Sequence, residues 1–164
     1  MDSSLAFENE LAQLLPRLRR FAHSLSRNPS DADDLTQMTI ERALRSKDQW
    51  QEGTRLDSWT YRIMRNLWID TARSRSRKEK FEAAPEEAET LGEDPTGAIE
   101  ASVELKRVMA AMERLPDEQR EVVALILIEG FGYRETSEML GLPIGTVSSR
   151  LVRGRTALLE MVGM

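Results

Sequence analysis

The sequence predicts an all-α protein: two small helical domains joined by a flexible acidic linker, with a helix-turn-helix in the C-terminal domain. Three observations carry that reading. Alternating apolar and polar stretches, Asn-Gly hairpins and other strand signals are nearly absent, and the β-branched residues sit at helical spacing. Helix breakers gather in one place, Pro85, Gly92, Pro95 and Gly97. Around them, residues 81–100 hold seven acids and no base. A chain of 164 residues has room for one domain or two small ones. The predicted division is 1–80, a linker at 81–96, and 97–164.

The elements follow in order. Leu5 to about Ser26 reads as helix interrupted at Pro16, which removes a backbone donor and either kinks the helix or starts a new one. After Asn28-Pro29, Ser30 is the expected N-cap of a helix to about Arg45, with Asp33 in its first turn. Asp48–Asp57 reads as a loop around Gly53, and Ser58 as the cap of a helix from Trp59 to about Lys80. Beyond the linker, helices are expected at about Ala98–Arg114 and at Asp117–Glu129, the latter ended by Gly130. Tyr133–Leu140 and Ile144–Met161 complete the chain, separated by Gly141-Leu142-Pro143. Gly141 suits a left-handed turn position and Pro143 a first helical turn.

Composition removes most enzyme classes. No cysteine means no disulfide, thiolate metal site or cysteine nucleophile, and a reducing, cytoplasmic setting is expected. The single histidine, His23, leaves no His-based metal cluster or Ser-His-Asp triad. No phosphate-binding glycine loop or nucleophile elbow is present, so no catalytic residue, metal or cofactor is expected. The longest apolar run, Val122–Ile128, is far short of the ~20 residues of a membrane helix. The acidic start MDSSLAFENE does not resemble a signal peptide. The net charge of −5 argues against nucleic acid only until it is divided. Residues 55–80 carry +5, residues 81–100 carry −7, and residues 130–164 carry +1. Screening confines each field to ~10 Å, so the local balance matters more than the total.

Two helices present faces suited to nucleic acid. In the last helix, Ile144, Val147, Leu151 and Leu158 share a narrow apolar face, and Ser149, Arg150 and Arg153 lie opposite. Thr146 and Ser148 sit at its N-terminal end. Hydroxyls and guanidinium groups bond base edges or phosphates, although an ordinary solvated helix face would look similar. The preceding Val122, Val123, Leu125, Ile126 and Ile128 are expected to form core. In the helix from Trp59, an apolar arc of Thr60, Tyr61, Ile63, Met64, Leu67 and Trp68 faces Arg62, Arg65, Asn66, Arg73 and Arg77. Trp59 lies at the border, placed to stack on a base or to pack into the core.

The helix before it carries Asp34, Gln37 and Glu41 on one polar face, with Ala32, Leu35, Met38, Ile40, Ala43 and Leu44 around the rest. A helix apolar on more than one side is buried between neighbours or meets a partner. Asp31 and Asp34 could suggest a metal, but a helix N-terminus favours acids without one.

The segments SDADDLTQMTIERAL, DSWTYRIMRNLWIDTARSR and LPDEQREVVALILIEGFGYRETSEMLGLPIGTVSSRLVRGRTAL, in this order, resemble bacterial sigma factors of the extracytoplasmic-function (ECF) type, in the sigma-70 superfamily. The resemblance spans essentially the whole chain. It implies a non-enzymatic subunit that binds core RNA polymerase and directs it to promoters. Asp31, Asp34, Leu35, Gln37 and Glu41 then belong to the surface that docks on the β′ clamp, and the second domain meets the β flap. The loop Gln51–Asp57 with Trp59, Arg62, Arg65, Asn66 and Arg73 resembles the part that melts and reads the −10 element. Thr146, Ser148, Ser149, Arg150 and Arg153 resemble the −35 reader.

The resemblance also implies an anti-sigma partner, no membrane insertion and a free monomer. Three positions depart from the pattern: Met38 replaces a usual acid, Thr60 a leucine and Ser148 a frequent lysine. A free-standing helix-turn-helix regulator and a mimic that only sequesters an anti-sigma factor are the alternatives. The complete first domain argues against the former, and the retained reading residues against the latter.

Overall fold

The computed structural model describes residues 3–81 and 103–163, and they are helical with no strand among them. The predicted linker lies outside the described residues except for its first position.

Helix α1 (Ser3–Ser26) runs through Pro16 as one helix. Phe7, Leu11, Leu18, Phe21, Ala22 and Leu25 bury one face at three- and four-residue spacing, and this packing offsets the hydrogen bond that Pro16 lacks. The helix ends at Arg27, whose φ of 63° is left-handed although it is not a glycine. Helix α2 (Pro29–Arg45) is capped by Asn28, not by Ser30. The Asn28 side-chain oxygen accepts from the Ser30 and Asp31 N–H groups at 2.9 and 3.2 Å, with Pro29 in the first helical position. Its inner face differs from expectation. Thr36 and Thr39 are buried, their hydroxyls donating to Ala32 O and Leu35 O at 2.7 and 2.8 Å, while Met38 and Leu44 face outward.

A 3-10 turn (Lys47–Gln49) and Gly53, at φ 90°, lead into α3 (Leu56–Phe81). This helix starts three residues before the predicted Trp59. Ser58 is inside it, and its N–H donates to the Asp57 carboxylate at 2.8 Å. The expected apolar arc is the packed one: Thr60, Tyr61, Met64 and Leu67 are buried, and Ile63 and Trp68 partly so. Thr60 fits there because its hydroxyl donates to Leu56 O at 2.9 Å.

The second domain comprises α4 (Val103–Glu113), α5 (Asp117–Val123), α6 (Tyr133–Leu140) and α7 (Ile144–Met161). The single helix predicted over Asp117–Glu129 is instead α5 followed by a π turn, Ala124–Ile128. The Glu129 N–H reaches back five residues to Ala124 O at 2.8 Å. Glu129 is only 9% exposed, whereas Leu127 and Ile128 are 52% and 42% exposed. Ile128 is therefore not core, although Val122, Val123 and Leu125 are. Ile144, expected on the apolar face, is also exposed, while Val147 and Leu151 are buried.

The α6–α7 turn has the predicted left-handed glycine, while Pro143 falls one residue before the helical turn expected for it. Gly141 sits at φ 66°, and the Leu142 N–H donates to Ser137 O at 3.1 Å. Pro143 caps α7 from just outside its first turn. Helix α7 crosses α5 so closely at Gly154 that a β-carbon there would lie 2.7 Å from Val123 Cγ2.

The two domains are packed together. Phe21 stacks on Tyr61 with centroids 4.9 Å apart, and Phe131 meets Tyr61 edge-on at 5.3 Å. One hydrophobic core thus runs from α1 and α3 into the second domain.

Candidate nucleic-acid interface

The helix-turn-helix presents Thr146, Ser149, Arg150 and Arg153 around one open hollow, with Gly145, Glu118 and Gln119 at its edge. Ser149 and Arg153 are exposed, and Thr146, Ser148 and Arg150 half-buried. The Arg150 guanidinium stands 3.6 Å from the Glu118 carboxylate, a loose pair that leaves the arginine available. Four of the five predicted residues therefore line one surface, and Ser148 lies beside it on the same turn.

The α3 face is built differently. Arg62, Asn66 and Arg73 are exposed and Arg65 half-buried on the side away from the core. Arg62 donates to Glu138 O at 2.9 Å, and Arg65 makes a forked pair with Glu121 at 3.0 and 3.3 Å. Both partners belong to the other domain. Trp59 is half-buried and contacts Phe7 edge-on at 6.1 Å, and Phe7 also meets Trp50 at 5.5 Å. This aromatic group stands beside the loop Gln51–Asp57.

On α2, Asp34, Gln37 and Glu41 are exposed as expected. Leu35 is only 2% exposed and belongs to the core, so it holds the helix in place and offers a partner no surface. Asp31 is tied to Arg75 of α3 at 2.6 and 2.7 Å, and that hydrogen bonding holds its carboxyl below the usual range despite partial burial. Among the described residues no group of acids and histidines is arranged to hold a metal, and no helix is long and apolar enough to cross a membrane.

Sequence reasoning missed the residues that join the domains. The Glu129 side chain, 1% exposed, accepts from Arg20 at 2.7 and 2.8 Å and from the Tyr61 hydroxyl at 2.6 Å, with Arg17 at 3.6 Å. Burial, and then that hydrogen bond to Glu129, push the Tyr61 phenol well above its ordinary pKa. Arg120 is equally hidden. Its guanidinium donates to Ser24 O and to Leu25 O at 3.3 Å, orphan carbonyls at the end of α1, and to Leu115 O at 2.8 Å in its own domain. Burial lowers its pKa, against the opposing hydrogen bond to Asp117. Arg27 returns the contact, donating to Leu115 O at 2.5 Å and to Asp117 at 3.0 Å. The one sequence signal was Phe131 between Gly130 and Gly132, an aromatic on a hinge of glycines.

Comparison with known proteins agrees with this architecture. The family model for Sigma-70 region 2 matches residues 11–78, and that for Sigma-70, region 4 matches residues 105–158. The ECF RNA polymerase sigma factor EcfG of Rhodopseudomonas palustris is 37% identical over 153 residues, covering 93% of this chain and 83% of its own. The ECF RNA polymerase sigma factor SigE of Mycolicibacterium smegmatis is 40% identical over 156 residues, 93% of this chain but 60% of its own length. The sigma factor RpoE of Bartonella quintana, solved in complex with the anti-sigma factor NepR, superposes with a TM-score of 0.86 at 33% identity, over 97% of this chain and 98% of that one. With both regions matched in order, and with a relative 37% identical over 93% of this chain, the chain belongs to the ECF RNA polymerase sigma factors of the sigma-70 family.

Proposed function

We propose that the first domain (1–80) of this sigma factor docks on the β′ clamp of core polymerase and opens and reads the −10 element. The second domain (97–164) reads the −35 element and rests on the β flap, and the linker at 81–96 spans the two. The family consists of transcription initiation factors, not enzymes. The observation that carries the reading is the exposed polar face of α7 beyond the Gly141 turn, where Thr146, Ser149, Arg150 and Arg153 converge. Ser148 joins them at the helix start.

On the first domain, Arg62, Arg65, Asn66 and Arg73 supply charge and hydrogen bonds along α3 for a melted strand, and Trp59 borders them as a stacking platform. Unstacking a base costs a few kcal/mol, which such contacts offset. Asp34, Gln37 and Glu41 form the exposed clamp contact, with Asp31 and Leu35 supporting it from behind. The chain works in the cytoplasm as a monomer when free. An anti-sigma factor holds it inactive; the RpoE relative was solved in complex with one, NepR.

The test is reconstitution. Purified protein with polymerase core is expected to start transcription at defined promoters, and protein alone to bind duplex DNA weakly. Arg150→Ala and Arg153→Ala are each expected to cost about 1–3 kcal/mol of −35 affinity if the residue reads a base. Footprinting of the holoenzyme checks this, and an unchanged −35 footprint in both variants removes the assignment.

A further inference from the structure

The reading surface of α7 holds one residue of the opposite charge. Glu118, in the first turn of α5, borders the hollow lined by Thr146, Ser149, Arg150 and Arg153. A surface that meets phosphates gains from bases and loses from acids, because a carboxylate repels the charge that the arginines attract. The fold gives that acid little to do. An acid suits a helix N-terminus, but Asp117 supplies one in the same turn, tied to Arg120 at 2.6 Å and to Arg27 at 3.0 Å. The Glu118 side chain is largely exposed, and its pair with Arg150 at 3.6 Å is too loose to steady the free domain appreciably.

The two arginines of the hollow differ in what surrounds them. Arg153 is exposed, and among the described residues no acid lies in ion-pair range of it. Arg150 is half-buried and directs its Nη2 nitrogen at the Glu118 carboxylate. A guanidinium carries five N–H donors in a fixed fork, so a contact at Nη2 leaves Nε and Nη1 for another acceptor. In the major groove guanine offers two acceptors, O6 and N7, to such a fork. Docked DNA displaces water from the hollow. The pair then strengthens, and a carboxylate left without its arginine becomes costly. Arg150 therefore meets DNA with its charge already partly balanced, and Arg153 meets it with full charge.

We propose that Glu118 is a specificity-determining positioning residue for −35 recognition. It holds the Arg150 guanidinium for a guanine edge and away from the phosphates, and leaves the backbone contact to Arg153. The acid thus divides between two arginines a task that both would otherwise share. This inference rests on the assignment of α7 to the −35 element.

The test uses holoenzyme reconstituted from the full chain and polymerase core. Promoter duplexes with each single base-pair change in the −35 element serve as competitors, at several salt concentrations. Arg150→Ala is expected to lose discrimination at one guanine position. Arg153→Ala is expected to weaken all duplexes alike and to reduce the salt slope of binding by about 1. Glu118→Gln keeps Arg150 but releases it towards the backbone. It is expected to steepen the salt slope by about 1 and to lower discrimination at the Arg150 position by about tenfold, within the worth of one bidentate contact. Glu118→Asp keeps the charge and is expected to restore part of that discrimination. In the Arg150→Ala background, Glu118→Gln is expected to leave base preference where it is, because it acts through that arginine. A role confined to the helix terminus would lower the melting temperature in both backgrounds and leave base preference unmoved.

Unchanged discrimination and salt slope in Glu118→Gln, while Arg150→Ala relaxes one position, would overturn the proposal alone. An equal loss of discrimination from Glu118→Gln with and without Arg150 would overturn it too. If Arg150→Ala and Arg153→Ala both left the −35 preference intact, the assignment of α7 would fail, whatever Glu118→Gln did.

Discussion

The polar faces of α3 and α7 use the same side chains in different settings. On α7, Arg150 stands 3.6 Å from Glu118 of its own domain, and Arg153 is exposed. On α3, Arg65 and Glu121 are fork-paired with side chains only 19% and 12% exposed. One face is complete within its own domain, and the other is shielded by a neighbour at Arg65 while Arg62, Asn66 and Arg73 stay exposed. The periodicity that places an arginine on a helix therefore says nothing of what packs over it. Availability is a property of the seam, and the seam depends on Tyr61, Phe131 and Glu129.

The largest expected effect is on that seam. Tyr61→Ala removes a fully buried ring that stacks on Phe21 and supports Phe131, and is expected to cost about 3–5 kcal/mol in chemical denaturation. Tyr61→Phe keeps the ring and removes one of the donors to Glu129, with an expected cost of about 1–3 kcal/mol. A cost for Tyr61→Ala no larger than that of a surface substitution would mean that the domains do not share a core in solution. The contrast between covered and open faces would then collapse.

A mid-sized effect belongs to the second domain alone. Gly154→Ala brings a β-carbon to 2.7 Å from Val123 Cγ2 and 3.3 Å from Gln119 Cβ, atoms of α5 that cannot swing away as the end of a long side chain would. Overpacking costs about 1–3 kcal/mol. Alanine in place of glycine in a helix returns about 1 kcal/mol. A net loss is expected, read as a lower melting temperature with the α7 polar face still intact. A stabilised variant would show that α5 and α7 are spaced more loosely than the 2.7 Å approach at Gly154 requires.

Much of this was legible in the sequence, for a physical reason. Short-range signals were sound: the Gly141-Leu142-Pro143 turn, the boundaries of α6 and α7, and the apolar arc of α3 all follow from local backbone and helical-period rules. Errors arose where a neighbour overrode a local preference. Pro16 stayed inside α1 because a packed face held the helix together, and Asn28 took the cap from Ser30 because Pro29 fixed the first turn. The π turn defeats any fixed period, so Glu129 read as a helix end and Ile128 as core. Of the candidate site, the α7 residues and the exposed acids of α2 stood where expected. The pairing of Arg62 and Arg65 across the seam depends on residues 76 and 56 positions away, which no window along the chain brings together.

The smallest expected effect separates a tie within the first domain from those across the seam. The Arg75 hydrogen bonds hold the Asp31 carboxyl below its ordinary value. For Asp57, burial pushes upward, but hydrogen bonds from Arg55 and the Ser58 N–H, with Arg17 nearby, leave it lowered as well. A carboxyl lowered in the folded state contributes stability above its unfolded pKa, about 4, and loses it as pH falls through the lower folded value. Acid should therefore weaken both ties. The Asp31–Arg75 pair joins α2 to α3 without reaching the second domain, and it is partly exposed, so its worth is below about 1 kcal/mol. Asp31→Asn is expected to flatten the loss of stability between about pH 5 and pH 3 slightly, without weakening the seam. Asp57→Asn, which loosens Arg55 and Arg17 at the rim, is expected to flatten the same slope and also to weaken the seam. If both variants weakened the seam alike, α2 would be coupled to it through α3, and the covered face would extend to the last turns of that helix.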